Sequence, residues 1–465
     1  MRTACCSLIV ALAVPFTALH ASSAGPEDGI WRYVSAYEAR AHVRGVVRIP
    51  SFSRQTGLTC NVCHTSFPQL TAFGRQFKIS GYTEASAEPI EQKEGGRTTL
   101  SIDRLPPLSA MLITSVTNTN EVQPGTQNWN ADFPQELGLF LAGRITPNLG
   151  AFVQLTYEPA DNSIAIDNLD IRLANRSTVG SHSLVYGLTI NNNPTVQDLW
   201  NTSPAWSYPY TASGVGPSPA AATAMDGALG QSVLGVGGYM LWNDLVYGEV
   251  AGYRSAPQGG ANPPDGSSEG TVKGLVPYWR LALQRQFGRH SVELGTYGLV
   301  TTQYPSGVSG PTDRYTDLAV DAQYQVPLGG GTVTAHGIWI HEKQTLNASF
   351  LDGSAANQTN TLQTLRVDAG YVSSQRIGMT VGVSNTVGDA DAVLYAPDIL
   401  TGSRTGSPNS TALLSEVSWM PWLNTRLGIQ YVWWTKFNGA TDNYDGSGRA
   451  AKDNNTLYLF TWLAF

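Results

Sequence analysis

The chain has 465 residues, only 14% of them Lys, Arg, Asp or Glu, with 10% aromatics, 48 glycines and a formal net charge of −7. A soluble domain carries roughly 25% charged residues and about 7% glycine, so ordinary soluble domains, a coiled coil and a disordered chain all fit poorly. Mean hydropathy is −0.14, so no bulk hydrophobicity replaces the missing charge; a bundle of membrane helices is excluded, and a β-rich chain with one face toward lipid and one toward water remains.

In chain order, residues 1–24 read as a secretory signal. Arg2 gives the positive start, Leu8 to Leu19 an apolar stretch, and Ala21-Ser22-Ser23-Ala24 the small residues around a cleavage point. The stretch is too short for a spanning helix, which needs about 20 apolar residues. Cys5 and Cys6 lie inside this signal, which leaves Cys60 and Cys63 in the mature chain. A disulfide-rich secreted fold is thereby excluded.

Residues 25–83 read as a small helical segment. Ile30, Tyr33, Val34, Tyr37 and Ala41 recur at helical spacing, and so do Leu70, Phe73 and Phe77 after Pro68. Between the two runs stands Cys60-Asn61-Val62-Cys63-His64. Two thiols three positions apart reach the two vinyl groups of one porphyrin, and the next residue turns its imidazole to the iron. A thioredoxin-like pair would want an adjacent βαβ pattern, which is not visible. A structural zinc site would want a second ligand pair, and no Cys is left to supply it. A plain disulfide leaves His64 unexplained. The motif therefore predicts one covalently bound c-type haem, carried by Cys60, Cys63 and His64. The sixth iron position stays open between His42, no ligand, and a ligand from further along the chain. A segment this small rarely stands alone without a staple, and covalent haem would be one. Arg54 and Arg75 lie nearest the motif and are candidates to pair with haem propionates. Polar residues Glu84 to Arg97 read as a linker.

From residue 98 to 465 the texture changes to strict alternation. Leu169, Ile171 and Leu173 alternate with Asn168, Asp170 and Arg172; Leu318, Val320, Ala322 and Tyr324 alternate with Asp317, Asp321 and Gln323. A period of two with charge on one face is the pattern of a membrane-spanning barrel. Sixteen such segments are centred near 112, 140, 154, 170, 187, 237, 249, 281, 296, 321, 338, 367, 381, 416, 431 and 460. Short gaps rich in turn residues (Asn243-Asp244, Gly329-Gly330) alternate with long ones, the longest being Asn191–Gly230. A β-sandwich has no reason for that asymmetry; an outer-membrane barrel does, with short turns facing the periplasm. Trp419, Trp422, Trp433, Trp434 and Tyr458 are expected in aromatic girdles. The long Asn191–Gly230 loop either folds inward as a constriction or stays outside. The fold expected is mostly β: a 16-stranded antiparallel outer-membrane barrel whose helical segment plugs the lumen. Residues 25–97 carry a net charge of +2 and the barrel −10, a favourable sign for that plug.

Arg54-Gln55-Thr56-Gly57-Leu58-Thr59-Cys60-Asn61-Val62-Cys63-His64-Thr65, then Phe67-Pro68, then Phe73-Gly74-Arg75-Gln76-Phe77-Lys78, then Gly81-Tyr82 resembles the fused outer-membrane cytochrome–porin family of iron-oxidising bacteria. The motif likeness covers about 30 residues, and the likeness in architecture covers the whole chain. The resemblance implies oxidation of extracellular Fe(II), with the electron passed to a periplasmic acceptor such as a soluble cytochrome or a copper protein. It implies lipid of the outer membrane as a partner and no nucleic acid. A transport porin whose haem segment gates or anchors, and a conduit for another external donor or acceptor, are the other readings.

Overall fold

In the computed structural model, which describes residues 50–465 apart from 105, 160–161, 228 and 257–262, the alternating segments are long antiparallel strands. A hairpin comes first, β1 (Ile90–Glu94) and β2 (Arg97–Ile102). Then follow β3 (Leu108–Thr119), β4 (Asn130–Thr146), β5 (Leu149–Glu158), β6 (Ser163–Val179), β7 (His182–Asn191), β8 (Val233–Trp242), β9 (Val246–Ser255) and a short β10 (Glu269–Val272). The chain continues with β11 (Val276–Phe287), β12 (His290–Ser306), β13 (Asp313–Leu328), β14 (Gly331–Thr345) and β15 (Thr359–Val372). It ends with β16 (Ile377–Gly388), β17 (Ser410–Trp422), β18 (Thr425–Lys436) and β19 (Thr456–Ala464). From β3 onward each wall strand pairs with the next, β9 pairing with β11 past the short β10, and β19 pairs back with β3. Those pairings close a barrel of sixteen strands, with β10 added beside β12. All sixteen expected segments are strands of this wall. The barrel begins at Leu108, not at 98, and part of the expected linker is the hairpin β1–β2, whose residues are almost all exposed.

Short turns join the strands at one end. In the three-residue turn 243–245, Asn243 and Asp244 both sit at positive φ, 55° and 48°, the geometry that lets a tight turn follow the right-handed twist of its strands. The long connections lie at the other end. Both ends of the barrel sequence, Leu108 and Ala464, lie at the short-turn end, as in outer-membrane barrels.

The wall is inverted relative to a soluble protein. In β13 the charged and amide side chains Asp317, Asp321 and Gln323 are 2–3% exposed, whereas Leu318, Val320 and Tyr324 are 37–45% exposed. Leaving leucine and valine outside across sixteen strands is favourable only against lipid. Closure leaves no strand edge in the hydrocarbon, which satisfies the backbone. The chain is an outer-membrane β-barrel in contact with lipid. No helix among the described residues is long and apolar enough to cross a membrane. Trp419, Trp422 and Trp433 face outward at 49–66% exposure, as girdle residues should. Trp434 and Tyr458 do not. Trp434 follows an outward residue and so points inward, its ring 4.8 Å from Phe437. Tyr458 is fully buried, and its hydroxyl donates to Gln135 at 2.8 Å.

Three short helices fill the short-turn half of the lumen: α1 (Ser51–Thr56), α2 (Cys60–Cys63) and α3 (Ala72–Ile79). They touch the wall around its circumference. Ser51 meets Ser109 of β3 at 3.3 Å, and Tyr82 Oη donates to Asp170 of β6 at 2.6 Å. Tyr239 of β8 donates to the Ile79 carbonyl at 3.0 Å, and Arg75 donates to Ser291 of β12 at 2.9 Å. Arg426 of β18 donates to the Phe67 carbonyl at 2.9 Å. The last of these helices is the one expected from Leu70, Phe73 and Phe77; the periodic run 30–41 lies outside the described residues. Gly150 of β5 allows the close approach, since a β-carbon there would overlap the Gly81 carbonyl oxygen.

The 192–232 loop folds inward above the helices. Gln430 donates to the Thr211 carbonyl at 3.1 Å, Met225 N donates to Asp317 at 2.8 Å, and Asp226 takes both guanidinium nitrogens of Arg366. Deeper in, Arg280 of β11 is buried among Asp198 of this loop, Glu293 and Asp321, at 3.4 Å and 3.5 Å to the first two. Removing one partner from such a network leaves uncompensated charge. Arg280→Ala is therefore expected to cost about 3–5 kcal/mol. The check is a lower temperature at which the folded, fast-migrating band is lost on an electrophoretic gel.

Candidate functional site

The Cys60–Cys63 turn is short, and tertiary contacts hold it. His64 N donates to the Cys60 carbonyl at 2.9 Å, and Thr71 binds on both sides of the turn, N to the Cys63 carbonyl at 2.9 Å and Oγ1 to the Val62 carbonyl at 2.6 Å. Thr71 also caps α3, its hydroxyl accepting from Gly74 N at 3.1 Å. Gly74 packs directly on the motif: a β-carbon there would overlap the Cys63 carbonyl oxygen. Gly74→Ala is expected to cost about 1–3 kcal/mol of local stability. Faster tryptic cleavage at Arg75 and Lys78 with an unchanged barrel would report it.

Cys60, Cys63 and His64 line one cavity. Both cysteines are unpaired. Burial pushes the Cys63 thiol up to about 12 and raises Cys60 as well. His64 Nδ1 lies 3.1 Å from the Pro68 carbonyl. A carbonyl only accepts, so Nδ1 carries the proton and Nε2 keeps its lone pair, the arrangement found behind metal-ligating histidines. Burial lowers the imidazole to about 4, so it is neutral at physiological pH.

The cavity leaves about 940 Å³ between protein atoms, counting the part open to solvent. Its walls are apolar and largely aromatic: Phe52, Leu58, Phe67, Leu70, Phe77 and Tyr82 from the helical segment. Phe52 packs edge-on to Phe77 at 4.9 Å and stacks on Tyr82 at 5.4 Å. Two further walls come from elsewhere, Phe152 of β5 and Trp206 of the inward loop, 6.1 Å apart. The helical segment alone thus does not enclose its own cavity; the barrel completes it.

The expected accessory residues are placed differently from one another. His42 lies outside the described residues. Arg54 donates to the Leu108 carbonyl, and Arg75 is buried with its guanidinium on Gln323, Gln325, Ser291 and the Leu70 carbonyl. Burial lowers Arg75 to about 10, against the pull of Glu293 and Asp198. Neither arginine is among the residues lining the cavity. The cation that does line it is Lys78. Its Nζ donates to the Val196 and Asp198 carbonyls, both at 2.7 Å, and lies 4.7 Å from the Trp206 ring. Burial first, then Arg172, lowers it to about 7. A lysine depressed in the folded state binds its proton less well than in the unfolded chain. Stability should therefore rise with pH between about 7 and the ordinary lysine value, and Lys78→Met should flatten that rise, measured as resistance of the segment to proteolysis.

Above the Trp206 wall lies a second cavity, a vestibule on the long-loop side. Small residues leave it room, Ala212, Ser213, Gly216, Gly382, Ser384 and Ala412. Asp226, Arg366, Asp368 and Gln430 supply its polar groups. Asp368 accepts from His336 Nδ1 at 2.9 Å. No cluster of three or more metal-ligating side chains occurs among the described residues.

No protein-family model matches the chain, and no curated protein sequence matches it. Solved structures of similar shape are outer-membrane proteins. The anion-selective porin of Comamonas acidovorans is 12% identical, with 77% of this chain and 98% of that one covered at a TM-score of 0.45. The outer-membrane channel DcaP of Acinetobacter baumannii is 13% identical, covering 77% and 96% at 0.43. OmpT of Vibrio cholerae is 10% identical, covering 77% and 96% at 0.41.

Proposed function

We propose that this barrel carries one c-type haem and passes single electrons inward from extracellular Fe(II) to a periplasmic acceptor, a soluble cytochrome or a copper protein. The observation that carries the reading is the coincidence of three features in one cavity: the C-x-x-C-H turn, an imidazole whose Nε2 is left free, and aromatic walls. The residues fit the group. Cys60 and Cys63 would hold it by thioethers and His64 by its Nε2. A haem so held supplies a centre that accepts and yields one electron. The chain's own residues do the rest. Pro68 fixes the imidazole tautomer, Phe52, Phe77, Phe152 and Trp206 give the site apolar walls, and the wall contacts hold the segment inside the barrel. Low polarity around the site, and Lys78 when protonated, would set the potential.

The choice of Fe(II) rests on the resemblance of residues 54–82 and on the chemistry of iron: Fe(III) made inside a cell at neutral pH precipitates, so oxidation is best done outside. Titrating the purified protein with ferrous sulfate tests it. Growth of the reduced-haem absorption bands is expected, and their absence at every pH tried would refute the iron assignment. A solute-conducting porin with a haem-bearing gate is the second reading. The sixteen-stranded wall favours it, since barrels of that size enclose an aqueous lumen. The helical segment and the inward loop, both bonded to the wall, argue against an open pore.

A further inference from the structure

The two cavities share one partition. Along the inward loop, Trp206 lines the cavity of the C-x-x-C-H turn, while Pro204, Ser207 and Tyr208 line the vestibule. The side chains of consecutive residues thus face different compartments. Tyr208 is 4% exposed, and its hydroxyl has no hydrogen-bond partner. Burial, then the charge of Glu416 and of Asp368, raises this hydroxyl above its ordinary value. Tyr208 thus closes the vestibule wall beside a buried hydroxyl that has no protein partner, a position for an ordered water or ion.

The charge around the mouth points to the ligand's sign. Apart from the inward loop, the long connections 120–129, 256–275, 346–358, 389–409 and 437–455 hold ten Asp and Glu against four Lys and Arg. The short turns hold one acid, Asp244, and two bases, Arg289 and Arg376. The acidic excess of the barrel therefore sits on the loop side, where low-dielectric walls focus it into the vestibule. Carboxylates inside the vestibule are each paired, Asp226 with Arg366 and Asp368 with His336. That leaves the cation to be attracted with its hydration shell and not stripped into a closed ligand set.

We propose that the vestibule is the docking site of the external donor, and that the donor is a small hydrated metal cation, not a protein or a solid surface. This rests on the function proposed above and adds to it where the donor stops and what size and charge it has. The Ser203–Tyr208 stretch is then the divider between donor and cavity.

Two measurements test it. First, Ser384→Cys is made in the holoprotein, whose native cysteines are consumed by haem, and the protein is placed in proteoliposomes. A cationic methanethiosulfonate should label Cys at 384 roughly tenfold faster than its anionic counterpart after correction for intrinsic reactivity, and a polyethylene-glycol maleimide should not label it. Equal rates for the two charges, or labelling by the polymer, would overturn the proposal without reference to any redox activity. Second, Ser384→Trp narrows the vestibule. Haem reduction by ferrous sulfate should slow roughly tenfold or more, while dithionite, which reaches both faces of detergent-solubilised protein, still reduces it fully. An unchanged ferrous rate would overturn the docking site. Failure of Fe(II) to reduce the wild-type haem would instead refute the iron reading, and the labelling ratio would still decide the vestibule.

Discussion

Replacing Cys60 and Cys63 with serine is expected to abolish covalent haem, with no haem-dependent stain left on a denaturing gel. Both proposed thioethers would come from these two side chains, and the other two cysteines of the sequence, Cys5 and Cys6, lie in the stretch read as a signal. The barrel should still assemble, because its closure depends on sixteen strand pairings and not on the cavity. His64→Ala separates attachment from ligation. Covalent haem should persist, while the absorption spectrum changes with loss of the nitrogen that the Pro68 carbonyl orients. Haem stain retained by the double serine variant would contradict the attachment.

The second large effect concerns flux. Wild-type protein in liposomes should admit small sugars far more slowly than an open barrel of sixteen strands, whose lumen is aqueous. Two bodies block it, the helical segment at the short-turn half and the 192–232 loop above it. Removing residues 196–226 takes away the Lys78 acceptors Val196 and Asp198, the Trp206 wall and the Asp226–Arg366 pair together. That variant is expected to gain solute flux by swelling assay while keeping sixteen strands. Porin-like swelling by the wild type would favour the transport reading.

The wall was legible from sequence because its signal is local and repeated. Asp317, Asp321 and Gln323 alternate with Leu318, Val320 and Ala322, and a period of two needs no knowledge of the partner strand. The same rule corrects the girdle assignments: adjacent Trp433 and Trp434 must face opposite ways. The hairpin at Ile90–Ile102 was hidden because its strands are exposed on both faces and read as polar linker. Helices α1 and α2 span six and four residues, too short for a periodic signal; the wall and Thr71 hold them. The motif Cys60–His64 could be read directly. What surrounds it could not: Phe152 lies 88 positions from His64 along the chain and Trp206 lies 142, so only the closed barrel brings them to the cavity. Lys78 was visible only as one base among several, and its place beside Trp206 depends on the loop folding inward.

Transmembrane electron transfer in sealed vesicles tests the central claim most directly. Protein carrying covalent haem is reconstituted with its long loops outward, ferricyanide is trapped inside, and ferrous sulfate is added outside. The trapped ferricyanide should lose its colour at one equivalent per iron, and vesicles made with the Cys60→Ser, Cys63→Ser variant should leave it untouched. Ferricyanide that stays oxidised in vesicles of the haem-bearing protein, or that bleaches equally fast with the variant, would contradict the account.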